Sequence, residues 1–315
     1  MKTIWKRFAC LAVALITPTA LTGCQQNTPA QGLCYRISGG RNPMVILGSI
    51  HVGGPVMEPY GQHITDAMEQ ADAFVFECDT DDPAAAAASA SMMLLEDGTL
   101  KDHLSPETWE LLEQACTKAG LPPEGLTGLK PWAVTSMLTT RAAAGQMGAR
   151  NARQAVERGV EEEVQEHVAG REVLYLETAV SQLQALDGFS PALQEELLRQ
   201  ACEAILSPEE TTTLAQWPQW WHDGDAASFV KEYQKDEGLP RNLVEEYHQS
   251  LVTGRNRHMG DGLVQLLEDD AGRSYFVTVG LMHLVLPEDS VLWELEQRGY
   301  TVERMMLETS EDEEP

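Results

Sequence analysis

The chain has 315 residues, 43% of them hydrophobic, and its 22 basic against 49 acidic side chains give a formal charge of −27. So large an acidic excess excludes nucleic-acid binding by phosphate neutralisation, which needs clustered Lys and Arg. The length suits one large α/β domain, and no break in composition demands two.

Lys2, Lys6 and Arg7 precede an apolar stretch from Phe8 to Ile16. That is the layout of a secretory signal peptide, and the stretch is too short to span a membrane. The run "LTGC" at Leu21 to Cys24 resembles a bacterial lipoprotein processing signal. Processing there would make Cys24 the lipid-modified first residue and tether the protein to a bacterial membrane outside the cytoplasm. Removing residues 1–23 takes three basic residues and no acid, so the charge moves from −27 to −30. Residues 24–32 have the polar, Pro- and Gly-containing composition of a tether, residues 33–307 form the domain, and 308–315 an acidic disordered tail. Cys34, Cys78, Cys116 and Cys202 remain; their spacing shows neither a disulfide framework nor a CxxC zinc pattern.

In chain order, strands are expected at Leu33–Ile37, Met44–Ile50, Ala73–Phe76, Glu172–Leu176, Tyr275–Val279 and Tyr300–Met305. Several are apolar on consecutive positions, as in strands covered on both faces. Helices fill the intervals. The alanine run from Pro83 is strongly helix-favouring. "SPETWELLEQACTKAG" offers Ser105 as N-cap, Pro106 in the first turn and Gly120 at the end. The middle third, about Thr127 to Asp261, is expected to be mostly helical apart from the strand at Glu172. "RNRHMGDGLVQLLED" puts Met259, Leu263, Leu266 and Leu267 on one helical face. Strands alternating with helices imply a largely parallel sheet with helical cover.

Four of these strands deliver an ionisable residue at the carboxyl end: His51, Glu77, Glu177 and His283. In open α/β sheets the ligand crevice lies beyond the carboxyl ends of the strands, so parallel neighbours would gather the four into one place. Two imidazoles and two carboxylates can ligate a divalent metal, or supply a general base with its orienting partner. Gly48 and Gly280, each three residues before a histidine, spare a Cβ where a neighbouring strand or ligand approaches and tolerate a turn. His63, His103, His167, His222, His248 and His258 lack a partner at metal spacing and default to the surface. The "WPQWW" cluster at Trp217–Trp221 is expected to pack a helix pair, or else to line a peptide groove.

With these residues, the chain resembles the TraB/GumN family, which is similar to the Tiki metalloproteases and more distantly to the erythromycin-esterase-like group. The likeness spans nearly the whole domain and rests on the paired G-x-x-H motifs, Gly48 with His51 and Gly280 with His283. "FVFECD" around Glu77, "LKPW" at Leu129–Trp132, "LETAVSQLQAL" from Leu176, and "RNRHM" with Arg255, Asn256 and Met259 support it. The resemblance implies an α/β fold: a central mixed, largely parallel sheet flanked by helices, with a mostly helical middle insertion. It also implies a site in which His51, Glu77 and His283 bind a divalent metal (Mn²⁺, Co²⁺ or Zn²⁺) that activates water for hydrolysis of a peptide or protein substrate.

Glu77 would be a ligand or the general base. Arg255 would steady an oxyanion, hold a substrate carboxylate, or pair with a structural acid. Glu177 would join the site or anchor its own loop. Two positions depart from the family pattern: Leu286 stands where "HLxG" has glycine, which bears on the loop over the site, and Glu161 stands where the family has aspartate, which keeps the charge. The expected function is a lipid-anchored, extracytoplasmic, metal-dependent hydrolase. The alternative is a non-catalytic lipoprotein that captures a pheromone-like peptide or holds haem or metal.

Overall fold

A computed structural model of the protein describes residues 28–51, 53–79, 83–147, 159–207, 216–234 and 239–307. Its sheet contains β1 (Cys34–Ser38), β2 (Met44–Ser49), β3 (Ala73–Phe76), β4 (Glu172–Tyr175), β5 (Tyr275–Gly280) and β6 (Thr301–Met305). Each lies within a residue or so of the strand expected from sequence. The strand order is β4-β3-β5-β2-β1-β6. β2, β5, β3 and β4 run parallel, while β1 is antiparallel to both β2 and β6, so the sheet is mixed and mostly parallel.

Burial explains why these segments are strands. The inner strands β2, β3 and β5 are buried at nearly every position, matching their unbroken apolar runs, whereas the edge strands β4 and β6 are largely exposed or half-buried. Phe74 and Phe276 meet across β3 and β5 with ring centroids 5.7 Å apart, and Met259, Leu263 and Leu267 cover the sheet from a helix at Gly254–Glu268. Each such side chain contributes about 1.5–3 kcal/mol by leaving water.

Among the described residues the middle of the chain is mostly helical apart from β4, as expected. Helices at Pro106–Ala119, Pro131–Met147 and Pro191–Leu206 share a second apolar core containing Leu112, Cys116, Val134, Leu138, Leu198 and Cys202. The first is capped as its sequence announces: Ser105 Oγ accepts from the Thr108 N–H, and Gly120 takes a left-handed conformation with φ of 66°. The alanine run forms a helix at Pro83–Met92. The four cysteines of the domain are free thiols.

One boundary differs from the sequence reading. Residues 28–32, assigned to the tether, are docked: Ala30 is fully buried and its N–H donates to the Pro59 carbonyl, while the Gln31 N–H donates to that of His222. Small and polar composition gave no sign of this, because the docking is carried largely by the segment's own backbone groups, which bond other backbone and side chains such as His63 and Arg304. Residues 1–23, Cys24 and the rest of the tether, and the acidic tail at 308–315 lie outside the described residues. Among those described, no helix is long and apolar enough to cross a membrane.

Candidate functional site at the carboxyl edge of the sheet

The four parallel strands end side by side, and each delivers its ionisable residue within three positions of its last hydrogen-bonded residue. His51, Glu77 and His283 line one cavity of about 260 Å³, together with Arg255, Gln182 and an apolar wall that includes Trp217, Phe229, Tyr247 and Leu251. A larger open groove of about 1090 Å³ follows the opposite edge, past Arg36, Asn42 and Ser274. None of the four strand-end residues reaches that groove, so the smaller cavity is where the chemistry gathers.

The two motif glycines act by leaving space. A Cβ on Gly48 would stand 2.5 Å from Leu281 Cδ1, and one on Gly280 would stand 2.9 Å from Glu77 Oε1. Neither residue has a positive φ, so close approach and not an unusual turn is what requires glycine here. Trp221, the buried member of the tryptophan cluster, donates from Nε1 to the Gly48 carbonyl at 2.7 Å and ties the end of β2 to the following helices. Trp217 and Trp220 meet Phe229 edge-on, and Trp217 also faces the cavity. The cluster thus packs a helix pair and forms part of a wall.

Glu77 is the centre of the arrangement. Oε1 accepts from the Gly280 N–H at 2.6 Å and lies 4.0 Å from His283 Nε2, while Oε2 accepts from Arg255 Nη2 at 3.0 Å. Burial alone would raise its pKa, but the charge that His283 takes on in acid, the Arg255 charge and the Gly280 N–H outweigh burial and hold the carboxyl below its ordinary range. Arg255 also holds Glu177, which accepts from Nε and Nη2, the latter at 2.7 Å. The Glu177 N–H donates to the Glu77 carbonyl at 2.6 Å, joining the ends of β3 and β4. Glu177 therefore sits beside the cavity as the anchor of Arg255. Arg255 itself is committed to two carboxylates, the pairing alternative raised by its sequence.

The histidines have separate partners. His283 Nδ1 lies 2.5 Å from Asn256 Oδ1, and burial drives the His283 pKa down to about 4, leaving the ring neutral at neutral pH. His51 Nδ1 lies 3.0 Å from Glu161 Oε1, and Glu161 also accepts from Ser49 Oγ at 2.5 Å. Burial would raise the Glu161 pKa, but its hydrogen bond with His51, the His51 charge and the Ser49 hydroxyl prevail and lower it. The glutamate at the family's aspartate position is thus long enough to reach both the end of β2 and the histidine beyond it.

Leu286 is buried in extended backbone after the short helix at Met282–Val285, and the left-handed turn comes three residues later at Asp289, with φ of 57°. Among the remaining histidines, His103 and His258 are exposed as expected. His63, His167, His222 and His248 are half-buried instead, with hydrogen bonds such as His63 Nε2 to the Gln31 carbonyl.

Two imidazoles and a carboxylate are the donor types a divalent cation takes. His283 Nε2 and Glu77 Oε1, 4.0 Å apart, are at a separation that two ligands about 2.0–2.2 Å from one ion can span. As the side chains stand, no group of three His, Cys, Asp or Glu among the described residues is disposed to hold a metal ion. Arg255 holds the second oxygen of Glu77, and Glu161 holds His51. The donor set fits a cation in kind, with two of its members in place.

Sequence reasoning located the strand-end residues. It did not foresee Glu161 and Asn256 as partners of the histidines, nor the buried Glu232 in the cavity lining. The signals for the first two were present, since both stand in motifs noted above, but a motif does not tell which side chain its residue will touch.

No curated protein and no solved structure matches the chain. The family model described as TraB/PrgY/gumN matches residues 33–304, from the start of β1 almost to the end of β6. With the paired G-x-x-H residues meeting at one cleft of the sheet which that match covers, the chain belongs to the TraB/PrgY/gumN family.

Proposed function

We propose that the protein is a lipid-anchored, extracytoplasmic hydrolase that uses a divalent cation, Mn²⁺, Co²⁺ or Zn²⁺, to cleave peptide or protein substrates. The observation that carries this reading is the juxtaposition of an ionised Glu77 and a neutral His283 across 4.0 Å, with His51 lining the same cavity. His51, Glu77 and His283 would hold the cation. When bound, it supplies Lewis acidity, polarising a scissile carbonyl and making water more acidic.

The protein's own groups do the rest. Glu77, kept ionised by Arg255, would serve through Oε1 either as a ligand of the cation or as the general base, because one oxygen cannot hold the cation and take up the proton at once. Arg255 holds Glu77 and Glu177 in place, which fixes the ends of β3 and β4 relative to the cavity. The wall formed by Trp217, Phe229, Tyr247 and Leu251 suits an apolar or aromatic side chain next to the bond to be cut.

Turnover of a peptide library with Mn²⁺ present tests the assignment. His51→Ala is expected to abolish turnover while circular dichroism shows the fold intact, and unchanged turnover would remove hydrolysis from this site. The same experiment addresses a second reading, favoured by the Arg255 bridge that already engages both acids: capture of a peptide without cleavage. Stoichiometric binding with release of intact peptide would establish capture instead. For the anchor, Cys24→Ser is expected to move the protein from the membrane pellet to the supernatant, and retention in the pellet would exclude a lipid on Cys24.

A further inference from the structure

Asn256 lies in the helix at Gly254–Glu268, immediately after Arg255, and is fully buried. Its side chain is the middle link of a chain that ends in backbone. Nδ2 donates to the Asp289 carbonyl at 2.5 Å, and Oδ1 lies 2.5 Å from His283 Nδ1. Because only an N–H can serve the Asp289 carbonyl, the amide orientation is set, and the oxygen is what meets the ring.

An amide oxygen at 2.5 Å requires a proton on His283 Nδ1. In the neutral ring that proton leaves Nε2 with its lone pair, and Nε2 is the atom facing Glu77 Oε1. The opposite tautomer would suit Glu77 better, since it would aim an N–H at a carboxylate. It would also press two lone pairs together at 2.5 Å on the Asn256 side, and the contact at 2.5 Å outweighs the one at 4.0 Å. Asp289 completes the device. Its left-handed backbone turns the carbonyl towards Asn256, and its Oδ2 lies 3.3 Å from Thr253 Oγ1 at the start of the same helix.

We propose that Asn256 is a positioning residue that fixes His283 as the Nδ1–H tautomer, so that Nε2 offers a lone pair to a cation or water proton beside Glu77. The inference rests on the functional reading above only for what Nε2 would bind. The tautomer itself is independent of it.

The test is nitrogen-15 NMR of the metal-free full chain with labelled histidine at neutral pH, the His283 signals being assigned by their loss in His283→Ala. Wild type is expected to carry the proton on Nδ1. Asn256→Leu is expected to shift the ring to Nε2–H and to weaken Mn²⁺ binding, measured by calorimetry, by about 10–100-fold. Asn256→Asp, buried and protonated so that its O–H donates to the Asp289 carbonyl, keeps an accepting oxygen towards the ring and is expected to retain the wild-type tautomer. A wild-type His283 protonated on Nε2, or an Asn256→Leu protein that keeps Nδ1–H and full affinity, would overturn the proposal. Should Asn256→Leu fail to fold, the wild-type and Asn256→Asp spectra still decide. If the tautomers are as expected and Mn²⁺ binds none of the proteins, the positioning role stands and the metal-dependent function falls.

Discussion

Gly280 shows how narrow the tolerances of the cleft are at the scale of single residues. A methyl group there would press on Glu77 Oε1 at 2.9 Å, whereas at Gly48 it would meet the flexible end of Leu281. Gly280→Ala is therefore expected to impair Mn²⁺ binding and turnover together, with a stability loss of about 1–3 kcal/mol. Gly48→Ala should cost stability alone, and calorimetry set beside thermal unfolding separates the two. Arg255 is the cation between two acids, Glu177 buried and Glu77 half-buried, so Arg255→Met would leave both without this counter-charge. A loss of about 3–5 kcal/mol is expected by chemical denaturation, with Glu77 titrating nearer neutrality. A fall below 1 kcal/mol would mean that the acids find other partners. His51, Glu77 and His283 were legible because a strand end is defined by the sequence itself. Glu161 and Asn256 were not, since their roles depend on how helices far along the chain dock against those ends.

At the scale of elements, local chemistry and tertiary packing divide the work. The helix at Pro106–Ala119 carries its own start and stop, and Ser105→Ala should cost about 1 kcal/mol by loss of the Oγ acceptor for the Thr108 N–H. That change is remote from the cleft, so turnover should stay constant while the unfolding midpoint falls. The strands β2, β3 and β5 could be placed from apolar continuity, because they are covered on both faces and tolerate few polar positions. The docking of residues 28–32 could not. Those residues look like a spacer, yet they pair by backbone with the segment at Pro59 and with His222 in the helix at Trp217–Asp223. Nor could the sequence show that Trp217 would serve a wall and Trp221 the end of β2, since composition alone does not order five clustered residues around a helix.

For the whole molecule, the cleft makes stability depend on pH in one direction. His283 titrates near 6.5 when unfolded and about 4 when folded, so between those values the unfolded chain binds a proton that the native one does not. Acidification from pH 6.5 to 4 is expected to remove about 3 kcal/mol through this residue. The depressed carboxyls of Glu77 and Glu161 act in the same sense at lower pH, where their stabilising contribution is lost. Chemical denaturation from pH 7 to 4 should show this decline, and His283→Ala should flatten its upper part. A wild-type curve flat across that range would deny that the ring is held neutral by burial.

The proposed hydrolysis depends on a cation held where β3 and β5 bring Glu77 and His283 together. Anomalous X-ray scattering from crystals of the protein soaked in Mn²⁺ tests this most directly. The expected result is one strong peak between His283 Nε2 and Glu77 Oε1, about 2.0–2.2 Å from each, with His51 turned towards it. Strong peaks only elsewhere, or none at this edge of the sheet at saturating Mn²⁺, would contradict it.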